Sequence, residues 1–178
     1  MTKKVLVVSA SPRKGGNSDV LCDEFIKGAE SVGHNVEKVF LNDMDIRYCR
    51  GCMACEATHK CVQKDDMADI LDKISSSDVI VLASPVYFYT VNGQMKTFID
   101  RCIPKYREIT EKEFYFIVTA ASNDVSAAER AIECFRGLTD CLENCVEKGI
   151  VYGVGAWQKG DIKKSKAMNA AFNMGKNV

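Results

Sequence analysis

The segment from Ser9 to Ser18 reads Ser-Ala-Ser-Pro-Arg-Lys-Gly-Gly-Asn-Ser, directly after an apolar run and directly before a helical pattern. Backbone N–H groups at the start of a helix lack partners, and the helix dipole there favours an anion, so this arrangement is typical of a phosphate site. Arg13 can add a positive charge and bidentate hydrogen bonds, and Gly15 and Gly16 allow close approach of the backbone to a ligand. The predicted phosphate contacts are Ser9, Ser11, Arg13, Asn17 and Ser18.

The composition of this loop narrows the kind of phosphate. It lacks the Lys-Ser or Lys-Thr pair of the Walker pattern and the three spaced glycines of the dinucleotide pattern. Hydroxyl groups with one arginine favour a terminal monophosphate over a pyrophosphate. The alternative is a solvated strand-to-helix loop in which Asn17 caps the helix.

A second polar turn, Ser84-Pro-Val-Tyr-Phe-Tyr89, ends the apolar run Asp78–Ala83. Ligands of open parallel sheets bind beyond the carboxyl ends of the strands, so both turns would face one crevice. The aromatic side chains offer flat faces for a ligand ring, or alternatively pack on the sheet. The predicted ring contacts are Pro85, Val86, Tyr87 and Phe88, with Ala121 and Ser122 as further candidates at a third loop.

Four cysteines with the spacing C-x2-C-x2-C-x5-C lie in a loop of residues 42–64, which has little helical or strand pattern. They are Cys49, Cys52, Cys55 and Cys61. Two-residue gaps let thiolates turn toward one centre, and four thiolates suit a [4Fe–4S] cluster, although Val62 replaces the proline of bacterial ferredoxin runs. Zinc, a redox-active dithiol such as Cys49 with Cys52, and plain loop cysteines are the alternatives.

The other five cysteines are predicted to be structural. Cys134, Cys141 and Cys145 would share one helical face with Leu138, and Cys22 and Cys102 fall within apolar helix patterns. No Ser-His-Asp or Cys-His arrangement stands out, so the sequence gives no support to hydrolysis by a nucleophile.

The elements that would position these residues alternate between strand and helix. The predicted strands are 4–9, 35–41, 78–84, 113–120 and 149–155, and the predicted helices are 17–32, 66–76, 93–103, 126–148 and 161–176. Such alternation predicts an α/β fold, a doubly wound parallel sheet with helices on both faces. Ligand loops after strands one and three favour the strand order 2-1-3-4-5. We predict one domain over residues 1–178.

The composition excludes several classes of function. The 24 basic and 24 acidic residues balance, so neither nucleic acid nor a membrane surface is an expected partner. No apolar run approaches the length of a membrane span, and the first apolar stretch is too short for a signal peptide. We therefore expect a cytoplasmic protein, in which nine cysteines are not a disulfide framework.

Four segments together resemble the flavodoxin-like NAD(P)H-dependent FMN reductase family, which includes the iron–sulfur flavoproteins. They are Ser9–Ser18, Ser84–Tyr87, Gly93–Arg101 and the cysteine segment ending Cys61–Met67. The resemblance extends to about Arg101. It implies FMN, with its phosphate on the first loop and its ring along Pro85–Phe88, and NAD(P)H as co-substrate. It also implies a homodimer or homotetramer, in which a partner subunit covers the flavin ring.

The leading hypothesis is therefore an FMN-dependent oxidoreductase that passes electrons from NAD(P)H to flavin, quinone or another small acceptor, with no obligatory catalytic side chain. A second hypothesis is an iron–sulfur flavoprotein that carries electrons through FMN and a cluster on the four loop cysteines, with a redox protein as its partner. A third is a scaffold that senses redox state or metal through the same cysteines.

Overall fold

A computed structural model describes all 178 residues of the chain. Its strands are β1 (Lys4–Ser9), β2 (Asn35–Phe40), β3 (Val79–Tyr87), β4 (Thr90–Val91), β5 (Glu113–Thr119) and β6 (Val146–Gly153). The sheet has the order β2-β1-β3-β5-β6, with every neighbouring pair parallel, and the short strand β4 pairs antiparallel with β3. The predicted fold and strand order are confirmed, with β5 and β6 as the predicted fourth and fifth strands.

Helices cover both faces of this sheet because alternate side chains of each buried strand point to opposite faces. The helices are α1 (Asn17–Ser31), α2 (Ala54–Thr58), α3 (Met67–Ser76), α4 (Gly93–Asp100), α5 (Ser126–Thr139) and α6 (Ala167–Lys176). In β1, Val5 and Val7 pack with α1 and α6, whereas Leu6 and Val8 pack with α3, α4 and α5. None of them combines the length and the apolar character needed to cross a membrane.

The helices α1 and α6 approach each other closely at two glycines. A β-carbon on Gly28 would lie 2.0 Å from the carbonyl oxygen of Phe172, and one on Gly175 would lie 2.0 Å from that of Phe25. Only a residue without a side chain fits at either position. This contact holds the C-terminal helix against the helix that begins at the predicted phosphate loop.

The predicted helix 126–148 is wrong in its second half. The helix α5 ends at Thr139, the chain then turns, and β6 begins at Val146, three residues before the predicted strand. Val146 and Glu147 pair with the start of β5, and the hydrogen bonds of this parallel strand replace helical ones. The predicted helical face of Cys134, Cys141 and Cys145 is therefore absent.

The individual cysteines outside the loop differ in burial. Cys134 is half-buried on α5, Cys145 is half-buried beyond that helix, and Cys141 is exposed. Cys22 and Cys102 are buried as predicted, and burial raises the pKa of each thiol to about 12. These five cysteines are therefore not part of the metal-binding or dithiol chemistry that the sequence suggested for the four loop cysteines.

Other boundaries differ from the prediction by a few residues. The strand β3 continues past Ser84 to Tyr87, because it forms a hairpin with β4. The helix that starts at Gly93 ends at Asp100, before the turns that lead to Pro104. The predicted closing helix is divided into a 3₁₀ turn, Asp161–Lys164, and α6, because Ser165 between them is extended.

Candidate functional site

The strands β1, β3, β5 and β6 are parallel neighbours, so the loops at their carboxyl ends meet at one edge of the sheet. A cleft of about 680 Å³ lies there, within the range of small-molecule sites. Its lining consists of Ser11, Pro12, Arg13, Asn17, Ser18, Pro85, Val86, Tyr87, Phe88, Thr119, Ala121, Ala156, Trp157 and Gln158. The structure thus brings the first two predicted loops together around one cavity.

The start of α1 presents hydrogen-bond donors without partners. The backbone N–H groups of Asn17, Ser18 and Asp19 have no backbone acceptor, as expected for the first turn of a helix. The Ser18 hydroxyl is buried and has no hydrogen-bond partner within the protein, although buried polar groups usually have one. Because Ser18 lines the cleft, this hydroxyl and the N–H groups can accommodate an anion there.

Asp19 fixes the shape of the predicted phosphate loop, residues 9–18. Its buried carboxylate accepts hydrogen bonds from the Ser9 hydroxyl (3.1 Å) and from the backbone N–H of Gly15 (2.8 Å), and pairs with Lys38. Ser9 therefore lies behind the lining of the cleft. The Ser11 hydroxyl, which lies on the lining, donates to the carbonyl of Arg13 at 2.9 Å.

Arg13 is exposed at the cleft, and no carboxylate oxygen lies within 4.0 Å of its guanidinium, whereas the neighbouring Lys14 pairs with Asp43 at 2.6 Å. An unpaired guanidinium beside free N–H groups is suited to a phosphate, which it can grip through two hydrogen bonds.

The Asn17 side chain connects the start of α1 to the loop after β6. Its amide nitrogen donates to the carbonyls of Ala156 (3.2 Å) and Gln158 (2.9 Å). Its amide oxygen accepts from the N–H groups of Gly160 (3.0 Å) and Ile162 (3.4 Å). Asn17 lines the cleft, but its amide is engaged by backbone groups; the helix N-cap is Gly16.

The second loop forms a tight hairpin with exposed aromatic residues. Tyr87 pairs with Thr90, and the two residues between them, Phe88 and Tyr89, have positive φ angles of 48° and 65°. Such hairpin turns normally use Asn and Gly, because other residues are strained in this conformation. Phe88 is fully exposed at 101%. The hairpin thus keeps a bare aromatic side chain at the rim of the cleft.

A buried hydrogen-bond network joins the two loops. The Asn92 amide donates to the carbonyl of Ala10, which follows β1, and its oxygen accepts from the backbone N–H of Met95 (3.2 Å) as the N-cap of α4. The Ser84 hydroxyl lies 3.2 Å from the same oxygen and accepts from the Asn92 N–H at 3.1 Å. Asn92 therefore sets the distance between the two walls of the cleft.

The third and fourth loops complete the lining. Ala121 faces the cleft, whereas Ser122 is used in a turn, where its carbonyl accepts from Gly155 (2.7 Å) and its hydroxyl from Asp124 (3.0 Å). The lining also contains residues that the sequence motifs did not indicate, namely Pro12, Thr119, Ala156, Trp157 and Gln158. Three of these residues, Ala156 to Gln158, lie in the loop that follows β6 at the same edge, so the predicted fifth strand, 149–155, contained the signal that a fourth loop reaches the site.

The four loop cysteines surround a separate cavity of about 100 Å³. Cys49, Cys52, Cys55 and Cys61 all line it. Burial raises the pKa of the Cys55 thiol, and the three neighbouring cysteines raise it further. No three His, Cys, Asp or Glu side chains are arranged to hold a single metal ion. The four thiols thus line one cavity, although they are not arranged to bind a single metal atom.

Arg101 anchors this cysteine loop to α4. Its side chain is 1% exposed, pairs with the buried carboxylate of Asp65 through both terminal nitrogens (2.7 and 2.8 Å), and also donates to the carbonyl of Arg47 and to the sulfur of Cys61. Burial alone would raise the pKa of Asp65, but the hydrogen bonds from Arg101 hold that pKa below its ordinary value.

Comparison with known proteins assigns the family. The model of the NADPH-dependent FMN reductase family matches residues 3–139. The chain belongs to this family. The resemblance predicted from the sequence motifs is thereby confirmed.

Individual relatives are similar to the chain over different lengths. An iron–sulfur flavoprotein of Archaeoglobus fulgidus is 46% identical over 101 residues, which are 57% of this chain and 46% of that protein. The YwqN protein of Bacillus subtilis is 26% identical over 96% of both chains. The solved structure of an NAD(P)H:quinone oxidoreductase from Methanothermobacter marburgensis superposes with a TM-score of 0.77 at 17% identity, over 99% of this chain and 96% of that one.

The alignments cover different shares of these proteins. The chain spans about half the length of the iron–sulfur flavoproteins that it matches, 46% of one and 52% of another. At 17% identity, the structural match to the quinone oxidoreductase supports the fold alone.

Proposed function

We propose that the chain is an FMN-dependent oxidoreductase that takes electrons from NAD(P)H and passes them to a small acceptor such as flavin or quinone. The observation that carries this proposal is the buried, unpartnered Ser18 hydroxyl beside three free N–H groups, at the end of a cleft with aromatic residues at its rim. Membership of the NADPH-dependent FMN reductase family supports the same function.

The phosphate end of FMN would lie on the first loop. Ser11, Arg13 and Ser18 would contact it, together with the N–H groups at the start of α1. Ser9 would act through Asp19, and Asn17 through its backbone N–H and through the loop that its amide holds.

The flavin ring would lie against the second and third loops. Pro85, Val86, Tyr87 and Phe88 would bound it, and Ala121 leaves room because its side chain is small. Ser122 would shape this third loop through its turn hydrogen bonds. When bound, FMN would supply the redox chemistry, hydride exchange with a nicotinamide, while the protein would bind it, orient it and shield it from water. No side chain of the cleft need act as an obligatory acid or base.

A titration with FMN tests the binding proposal. Trp157 is the single tryptophan of the chain and lines the cleft, so flavin binding should quench its emission. Arg13→Ala should weaken binding roughly tenfold or more, because a charge-assisted hydrogen bond contributes about 1.5–3 kcal/mol. Arg107→Ala, which removes an exposed arginine that lines a different cavity, is the matched control. A protein that is colourless as purified and takes up no FMN would refute the proposal.

Turnover tests the second half of the proposal. The loaded protein should oxidise NADH or NADPH under anaerobic conditions and reduce quinone or free flavin in equal amounts. Separate assays with each nicotinamide and each acceptor would establish the preferred pair. A flavin-loaded protein that no nicotinamide reduces would exclude the reductase function while leaving flavin binding intact.

A second candidate function is an iron–sulfur flavoprotein that carries electrons to a redox partner protein. The specific observation in its favour is that Cys49, Cys52, Cys55 and Cys61 line one cavity. These four residues would hold a [4Fe–4S] cluster, which exchanges single electrons when bound. Anaerobic purification followed by iron and sulfide analysis should give both elements in a four-to-four ratio. Absence of iron after anaerobic reconstitution would remove this candidate.

We also propose that the protein is a cytoplasmic homodimer or homotetramer. Phe88 and Trp157 are 101% and 71% exposed at the mouth of the cleft, where a partner subunit would cover them and the flavin ring. Size-exclusion chromatography with light scattering should therefore show an oligomer. A monomer that retains bound flavin would contradict this proposal.

A further inference from the structure

The loop after β6 supplies part of the cleft, although it lies beyond residues 3–139, which the family model matches. Ala156, Trp157 and Gln158 line the cleft beside residues of the first loop. The four hydrogen bonds of the Asn17 amide fix this loop against the start of α1. A residue in this segment is therefore held beside the phosphate loop by the fold itself.

Lys159 is the cation that this arrangement brings to the phosphate loop. A β-carbon placed on Gly15 would lie 3.4 Å from the Lys159 Cε atom and 3.7 Å from its ammonium nitrogen. Gly15 lies two residues from both Arg13 and Asn17. No carboxylate oxygen lies within 4.0 Å of the Lys159 ammonium, which is thus an unpaired positive charge at this loop.

The charged side chains around the loop leave few cations to balance a bound phosphate. The carboxylate of Asp19 accepts from the Gly15 N–H of this loop and shares Lys38 with Asp23, so these three side chains keep one net negative charge. Lys14 is neutralised by Asp43. Arg13 and Lys159 are therefore the two cations left for a ligand. A phosphomonoester carries about 1.5–2 negative charges at pH 7, more than Arg13 alone can balance.

We propose that Lys159 is a second cationic contact for the phosphate of FMN, supplied by the C-terminal part of the chain. This inference rests on the proposed function, because it places an additional residue at the same cofactor. Lysine suits the position, since its flexible four-carbon side chain can move its ammonium from the rim of the loop onto a bound phosphate.

Comparison of FMN with riboflavin, which lacks the phosphate, tests this contact. Binding of both flavins is measured by calorimetry for the wild type, Lys159→Gln, Lys159→Arg and the control Lys163→Gln, which removes an exposed lysine from the following 3₁₀ turn. Lys159→Gln should weaken FMN binding about tenfold and leave riboflavin binding unchanged. Lys159→Arg should restore most of the FMN affinity, and the control should match the wild type.

The outcomes separate this inference from the proposed function. If the wild type binds no FMN, the proposed function itself fails, and the inference fails with it. If the wild type binds FMN and Lys159→Gln binds it equally well, only the role of Lys159 is overturned. Equal weakening of FMN and riboflavin would also overturn that role, because the effect would then not depend on the phosphate.

Discussion

Replacement of Asn92 by alanine should weaken both the fold and the cleft. The side chain is buried, caps α4 through the N–H of Met95, and donates to the carbonyl of Ala10. Alanine removes both interactions and leaves that carbonyl without its partner in the protein interior. The Ser84 hydroxyl keeps a neighbour, because it can still donate to the carbonyl of Pro85 at 2.8 Å.

The magnitude follows from these separate losses. Loss of a helix N-cap costs about 1 kcal/mol, and a buried unsatisfied carbonyl costs about 1–3 kcal/mol. The sum predicts that Asn92→Ala lowers the free energy of unfolding by about 2–4 kcal/mol. For a chain of this size, each kcal/mol changes the Tm by about 2–4 °C, so the Tm should fall by about 4–16 °C.

Urea unfolding and a parallel FMN titration measure the two effects. Asn173→Ala, an exposed position on α6, is the matched control and should change the free energy of unfolding by less than about 0.5 kcal/mol. Asn92→Asp separates the two interactions of the side chain. It keeps an acceptor for the N–H of Met95, but replaces the donor to Ala10 by a second oxygen.

If the connection between the loops matters, Asn92→Asp should be destabilising and should bind FMN less tightly. Two results would contradict this reasoning. An Asn92→Asp protein as stable as the wild type would reduce Asn92 to a helix cap. An Asn92→Ala protein that lost less than about 1 kcal/mol would mean that water or relaxation satisfies the carbonyl of Ala10.

Three further perturbations probe other parts of the structure. Gly175→Ala should destabilise the protein by about 1–3 kcal/mol in urea unfolding, since its new methyl group would overlap a carbonyl of α1. The control Gly137→Ala has open space around it and should instead stabilise α5 by up to about 1 kcal/mol. Replacing Phe88 and Tyr89 by Asn and Gly should relieve the strained turn and raise the Tm, and an unchanged or lower Tm would argue against strain. The pKa of Asp65 is held below its ordinary value, so its contribution to stability is present above about pH 3.9 and is lost as the pH falls further. Unfolding measured as a function of pH checks this. An Asp65→Asn protein should not show this loss of stability in the acid range.

Much of the fold follows from local patterns that the sequence displays directly. The apolar runs before Ser9 and Ser84 are buried strands, and hydroxyl and glycine residues directly after a strand can only belong to the loop at its carboxyl end. Since parallel strands place these ends at one edge, the sequence was sufficient to bring the first two loops to a common cleft.

The features that the sequence could not predict depend on contacts between distant residues. Asn17 satisfies helix-capping and phosphate-binding patterns equally well, and only the tertiary fold places its amide against Gln158, 141 residues away. Similarly, residues 140–148 are compatible with a helix by pattern. Their strand conformation from Val146 onward depends on the hydrogen bonds that β5 offers.

The polar groups of the cleft fall into two sets with different roles. Asp19, Asn17 and Asn92 are bonded to backbone groups and define the shape of the loops before any ligand binds. The Ser18 hydroxyl and the Arg13 guanidinium have no such partners. Because the first set already orders the loops, ligand binding does not have to lose further conformational entropy in the loop backbone. The free donors of the second set can therefore contribute directly to affinity. A ligand present at 100 times its Kd should then stabilise the fold by about 2.7 kcal/mol, without a change in loop structure.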